Sequence, residues 1–109
     1  MEKIINVPYV PGAIEFIRKY YKYYDFYIST GTPLDEIKII LEKRKINNFF
    51  KSVHGSPQSK NEHISRILSQ KKYNHDEVIF VGDAKSDIEA ALKNKIRIIF
   101  RIHKNNLFL

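Results

Sequence analysis

Hydrophobic positions along this chain recur alternately at three- to four-residue spacing and in short contiguous runs, the pattern of helices alternating with buried strands. Ile14, Ile17 and Tyr21 follow Pro11 at helical spacing, with Glu15, Arg18, Lys19 and Lys22 on other faces, so a helix is expected from about Pro11 to Tyr23. Phe26-Tyr27-Ile28-Ser29-Thr30 is aromatic and β-branched and stops at Gly31, as a strand does. Thr32 and Pro33 then read as N-cap and first residue of a second helix, whose stripe is Leu34, Ile37, Ile40 and Leu41, down to Arg44. A short strand near Lys51-Ser52-Val53-His54 leads through Gly55-Ser56-Pro57-Gln58 to Ser59-Lys60-Asn61-Glu62. The Ser-x-x-Glu spacing is that of a capping box, opening a third helix through Ile64, Ile67 and Leu68 to about Gln70.

Val78-Ile79-Phe80-Val81 is a continuous apolar run, as in a parallel strand buried on both faces. A turn, Gly82-Asp83-Ala84-Lys85, follows it. Ser86-Asp87-Ile88-Glu89 has capping-box spacing before a helix through Ala90, Ala91 and Leu92, and Ile96 to Phe100 reads as a closing strand. Lys104 to Leu109 carries no clear pattern. Repeated βα units predict an α/β fold, a three-layer sandwich with helices on both faces of a mostly parallel sheet.

Composition narrows the class. The chain has 109 residues, 43% hydrophobic and 28% charged, which excludes fibrous and disordered classes and suits one globular domain. There is no cysteine, so thiol catalysis, disulfides and thiolate metal sites are excluded. No apolar run is long enough for a membrane span, and Met1-Glu2-Lys3-Ile4-Ile5-Asn6 turns polar too quickly for a signal peptide, so a cytoplasmic location with no membrane partner is expected. A net charge of +7 raises the question of a polyanionic partner. However, Lys43-Arg44-Lys45 and Lys71-Lys72 lie at helix ends, where cations suit the dipole, and the other basic residues are scattered, so nucleic acid is not the expected partner.

Ligands of open α/β sheets lie outside the carboxyl ends of the strands. There the chain offers Thr30 with Gly31 and Thr32, then Lys60, then Asp83 and Asp87. A hydroxyl, an ammonium and two carboxylates around one crevice can hold a phosphate and a hard cation. Each has a structural alternative: Asp87 suits a first helical turn, and Thr30 and Thr32 suit a strand and a cap. Lys60 runs against the dipole of its helix, and nothing about the strand before Asp83 asks for a carboxylate, so these two point most strongly to chemistry. His54, His63, His75 and His103 have no metal-ligand spacing and read as packed or solvated imidazoles.

These residues carry a resemblance to the haloacid dehalogenase-like (HAD) hydrolase superfamily, mostly phosphatases, in its phosphoglycolate-phosphatase-like branch, over about Pro8 to Arg101. Pro8-Tyr9-Val10-Pro11-Gly12 resembles the return from that family's cap domain. Tyr27-Ile28-Ser29-Thr30-Gly31-Thr32-Pro33 resembles its second motif, whose Ser or Thr binds the substrate phosphate; the spacing to Pro33 favours Thr30, with Ser29 as the alternative. Gly55-Ser56-Pro57-Gln58-Ser59-Lys60 resembles the third, whose Lys steadies the phosphate and the nucleophile's charge. Val81-Gly82-Asp83-Ala84-Lys85-Ser86-Asp87 resembles the fourth, a Gly-Asp-x-x-x-Asp motif for Mg²⁺. The resemblance implies Thr30 and Lys60 as catalytic residues, Thr30, Gly31 and Lys60 around the phosphate, Asp83 and Asp87 on Mg²⁺, and a small phosphorylated substrate.

The family's first motif, Asp-x-Asp, supplies the nucleophile that becomes an aspartyl-phosphate and a general acid and base. The sequence contains no Asp-x-Asp, and Asp25 stands at the wrong end of its strand to replace it. The resemblance therefore implies residues 1–109 as one partial HAD-like core domain, lacking the nucleophile strand and cap, with motifs two to four present and no turnover alone. In the family the nucleophile strand is central. Ile4-Ile5-Asn6-Val7 could fill its place, the neighbouring strands could close on each other, or another polypeptide could supply it, whether an amino-terminal segment or a second copy in a homodimer.

Overall fold

The computed structural model describes residues 3–6, 13–82 and 84–100. Among the described residues five strands and four helices alternate: β1 (Lys3–Asn6), α1 (Ala13–Tyr20), β2 (Asp25–Pro33), α2 (Leu34–Lys43), β3 (Phe50–Ser56), α3 (Lys60–Lys71), β4 (Val78–Gly82), α4 (Lys85–Lys93) and β5 (Arg97–Phe100). Short 3₁₀ turns at Asn47–Phe49 and His75–Glu77 lead into β3 and β4. The expected helix start at Pro11, and the segment from Lys104 on, lie outside the described residues.

All strands are parallel, in the order β3-β2-β1-β4-β5. The central place, for which the sequence left three candidates, is taken by Lys3–Asn6: Ile5 pairs with Tyr27 of β2 on one side and with Phe80 of β4 on the other. What the described chain lacks at this position is an aspartate, not a strand. Asp25–Ile28 of β2 and Val78–Val81 of β4 are therefore paired on this side from within the chain.

Alternation along β2 divides the core between the two faces. Tyr27 joins Ile64, Ile67 and Leu68 of α3, Val78 and Phe80 of β4, and Ala90 and Ala91 of α4 in the larger cluster. Ile28 packs with Ile37 and Leu41 of α2 and with Ile46, and Phe26 packs with Ile17 of α1. Burying each such aliphatic side chain contributes about 1.5–3 kcal/mol, so the sandwich is held mainly by these stripes. The three-layer reading of the sequence is thus what the structure has.

Several boundaries differ for local reasons. The first helix ends at Tyr20, where the Tyr23 N–H turns back to the Tyr20 carbonyl at 2.8 Å, so the aromatic residues that follow form a turn. Thr32 is not an N-cap: β2 continues to Pro33, which precedes α2 without any side-chain cap. Ser59 and Glu62 form the expected capping box of α3. The box expected at Ser86 and Glu89 does not form, because α4 starts earlier; Asp87 accepts the Ala84 N–H at 3.0 Å and does the capping instead. Just past the ends of α2, α3 and α4, Lys45, Lys72 and Lys95 take φ of 59, 55 and 54°, the left-handed turn that closes a helix.

Candidate active site

Lys60 is the first residue of α3, held in place by the box immediately before it: the Ser59 hydroxyl accepts the Glu62 N–H at 3.2 Å and Glu62 Oε1 accepts the Ser59 N–H at 3.3 Å. From there the ammonium crosses to α4. Its Nζ lies 2.7 Å from Asp87 Oδ1 and donates to Ser86 Oγ at 3.2 Å. Asp87 is fully buried, whereas 17% of the Lys60 side chain is exposed. The cation that opposes the α3 dipole is therefore compensated by a carboxylate at the start of the neighbouring helix.

Above this pair lies an open cleft of about 460 Å³, lined by Gly31, Ser59, Lys60, Ser86, Glu89 and Lys93 among others. Residues from the end of β2, the start of α3 and the start of α4 thus meet at the carboxyl edge of the sheet, where a ligand of this fold class binds. A Cβ on Gly31 would meet nothing within 4 Å, so this backbone is open to the cleft.

Thr30 is buried in the last part of β2, and its hydroxyl accepts the Thr32 N–H at 3.2 Å and reaches Thr32 Oγ1 at 3.3 Å. The alternative, Ser29, points elsewhere: its Oγ lies 2.7 Å from His63 Nδ1, on the α3 face of the sheet. Of the two hydroxyls, Thr30 is the one not engaged by a helix. Asp83 lies outside the described residues.

As to a metal, Asp87 supplies a hard oxygen donor, but among the described residues no group of three or more His, Cys, Asp or Glu side chains converges. A carboxylate oxygen is the kind of donor that Mg²⁺ takes.

Two features at this edge were not read from the sequence. One is the Lys60–Asp87 pair itself, and the other is His63, which is 3% exposed and bonded through both ring nitrogens. Asp25, at the opposite end of β2, accepts the Tyr73 hydroxyl at 3.0 Å and takes no part in the cleft.

The sequence model of the haloacid dehalogenase-like hydrolases matches residues 2–100, and the chain belongs to that family. No curated protein matches it. Among solved structures, it resembles the core domain of a Streptococcus pneumoniae TIGR4 protein assigned as a phosphoglycolate phosphatase (TM-score 0.77, 20% identity, 94% of this chain and 80% of that one). A Clostridium difficile protein assigned as a phosphatase gives a TM-score of 0.75 at 30% identity, over 83% of this chain and 45% of that one. A Thermotoga maritima protein assigned as a beta-phosphoglucomutase gives 0.76 at 24% identity, over 91% of this chain and 49% of that one. The chain spans about half the length of the latter two. No helix among the described residues is long and apolar enough to cross a membrane.

Proposed function

We propose that the cleft is the phosphate-holding part of a phosphate-monoester hydrolase site. The observation that carries this reading is Lys60, fixed at the head of α3, paired to buried Asp87 at 2.7 Å and opening into the cleft beside Gly31. In this reading the ammonium binds the phosphate oxygens of a small phosphorylated substrate. Thr30 and the Gly31 backbone bind the same group from the end of β2. Asp87 and Asp83 would hold Mg²⁺, which when bound would neutralise phosphate charge. Asp87 also keeps the lysine extended toward the cleft rather than folded into solvent.

Covalent catalysis through an aspartyl-phosphate needs a carboxylate nucleophile. The 109 residues carry no Asp-x-Asp, and β1 ends at Asn6. This favours a second reading of the chain by itself: a phosphate-binding module without turnover. Both are tested by assaying an aryl phosphate with Mg²⁺ and titrating inorganic phosphate into the chain. The expected result is no turnover, with phosphate binding that Lys60→Ala abolishes, and turnover once a segment bearing Asp-x-Asp and a cap is added. Phosphate binding unchanged in Lys60→Ala would remove the site assignment. Turnover by the chain alone that is lost in Asp83→Ala would remove the module reading.

A further inference from the structure

His63 sits one turn into α3, three residues after Lys60, on the flank facing β2 and β3 rather than α4. Its Nε2 lies 2.9 Å from the Gly55 carbonyl, which can only accept, so Nε2 carries the proton. The neutral ring's Nδ1 is then an acceptor and takes the Ser29 hydroxyl proton at 2.7 Å. One imidazole thus bolts together the residue before Thr30, the end of β3 that leads into the Lys60 loop, and the helix that presents Lys60.

We propose that neutral His63 is a positioning residue for the cleft, fixing Thr30 and Lys60 relative to each other through Ser29 and the Gly55 carbonyl. The role rests on the phosphate-site reading, since it matters only if those two residues act on one ligand. The geometry around it supports a positional role. A Cβ on Gly55 would fall 2.5 Å from the Thr32 carbonyl oxygen and 2.8 Å from Leu34 Cα and N, so β3 is pressed against the chain just past Thr30. Small shifts at Gly55 therefore reach the β2 turn directly.

Protonation of His63 would convert Nδ1 from acceptor to donor and reverse the Ser29 bond. Burial holds its pKa below the ordinary histidine value, and nearby Lys60 acts the same way, whereas the backbone bonds to Gly55 and Gln58 and the charge of Glu62 oppose this. From β3 the facing titratable group is His54, its ring 5.6 Å from that of His63, with Arg66 of α3 beside it. Ser29 supplies no charge from β2. Burial, helped by Lys60, outweighs the neighbours that favour the imidazolium and keeps the ring neutral.

The test is NMR on the full chain, with His63→Leu, His63→Gln and Lys60→Ala. Inorganic phosphate titrated into wild type and Lys60→Ala decides the phosphate-site reading by itself. For His63, the readouts are Thr30 and Lys60 resonances, and the phosphate affinity. Leu removes both hydrogen bonds, and is expected to move both resonances and weaken phosphate about tenfold, the size of one lost supporting bond. Gln keeps a donor and an acceptor and should restore affinity to within about threefold. As the wild-type ring titrates, Thr30 and Lys60 should follow it, with no such response in His63→Gln. Thr30 and Lys60 resonances unchanged in a folded His63→Leu overturn the proposal, even where phosphate binds. If wild type and Lys60→Ala bind phosphate alike, the site reading fails, and the resonances still decide whether His63 positions these residues. Should His63→Leu not fold, His63→Gln and the wild-type titration decide it.

Discussion

A Cβ placed on Gly82 would stand 2.5 Å from Cβ, Cγ and Oδ2 of Asp87, so the last residue of β4 and the third residue of α4 are closer than any side chain at position 82 allows. The Asp87 carboxylate cannot retreat easily, because Oδ2 holds the Ala84 N–H and Oδ1 faces Lys60. Gly82→Ala is therefore expected to displace Asp87, break its pairing with Lys60 and destabilise the chain by about 1–3 kcal/mol, as overpacking does. Denaturant unfolding measures it. A loss under about 0.5 kcal/mol would show that Asp87 relaxes freely.

The glycine in this pair was visible in the sequence as part of Gly-Asp-x-x-x-Asp, but the reason for it was not, since the clash is set by how α4 returns over β4. Local signals were legible where partners are neighbours: the Ser59 box, the apolar run of β4, the stripes of α2 and α3. Where two local signals competed, tertiary contact decided. Ala84-x-x-Asp87 and Ser86-x-x-Glu89 both place an acid near a helix start, and the Lys60 ammonium across the cleft compensates the first. His63 was opaque for the same reason, its partners lying 34 and 8 residues away. β1 is four residues long and gains its identity only from two waiting edges.

Acid should loosen the edge of the sheet near β3 before it titrates most carboxylates. Burial lowers the pKa of both His54 and His63 from the ordinary 6.5, with His63 and Arg66 adding to the effect at His54. A histidine whose folded pKa is depressed binds more protons when unfolded. Stability is then full above about pH 6.5 and falls as pH drops from there toward the folded values. Urea midpoints between about pH 7.5 and 5 should decline accordingly, and less steeply in His63→Gln. A flat profile down to about pH 5 would mean that neither imidazole is held neutral by the fold.

At the opposite end of the sheet, Tyr73→Phe should reduce stability without touching the cleft. The Tyr73 hydroxyl donates to Asp25 at 3.0 Å and lies 2.5 Å from that of Tyr27, whose side chain is fully buried. Burial, the bonds to Tyr27 and Asp25, and the Asp25 charge all hold the Tyr73 hydroxyl protonated far above the ordinary tyrosine range. Removing it orphans the buried Tyr27 hydroxyl, at about 1–3 kcal/mol. In the double variant with Tyr27→Phe both partners are gone, so the combined loss should be smaller than the sum of the single losses. Additive losses would show that the two hydroxyls do not depend on each other.

The central place of β1 makes the oligomeric state a sharp test. Each side of Lys3–Asn6 is paired, to β2 and to β4, so the central slot is filled from within the chain. Light scattering is expected to give a monomer mass independent of concentration. Ile5→Pro removes an amide donor from the middle of this strand and inserts a ring that a central strand does not accept. Each backbone group left buried without a partner costs about 1–3 kcal/mol, a large share of the roughly 5–15 kcal/mol that holds a domain together. The variant should therefore lose most of its stability and, with two edges open, associate into dimers or larger species. A dimer mass for the wild-type chain, or an Ile5→Pro variant that stays monomeric with unchanged unfolding, would mean that the strand is supplied in some other way.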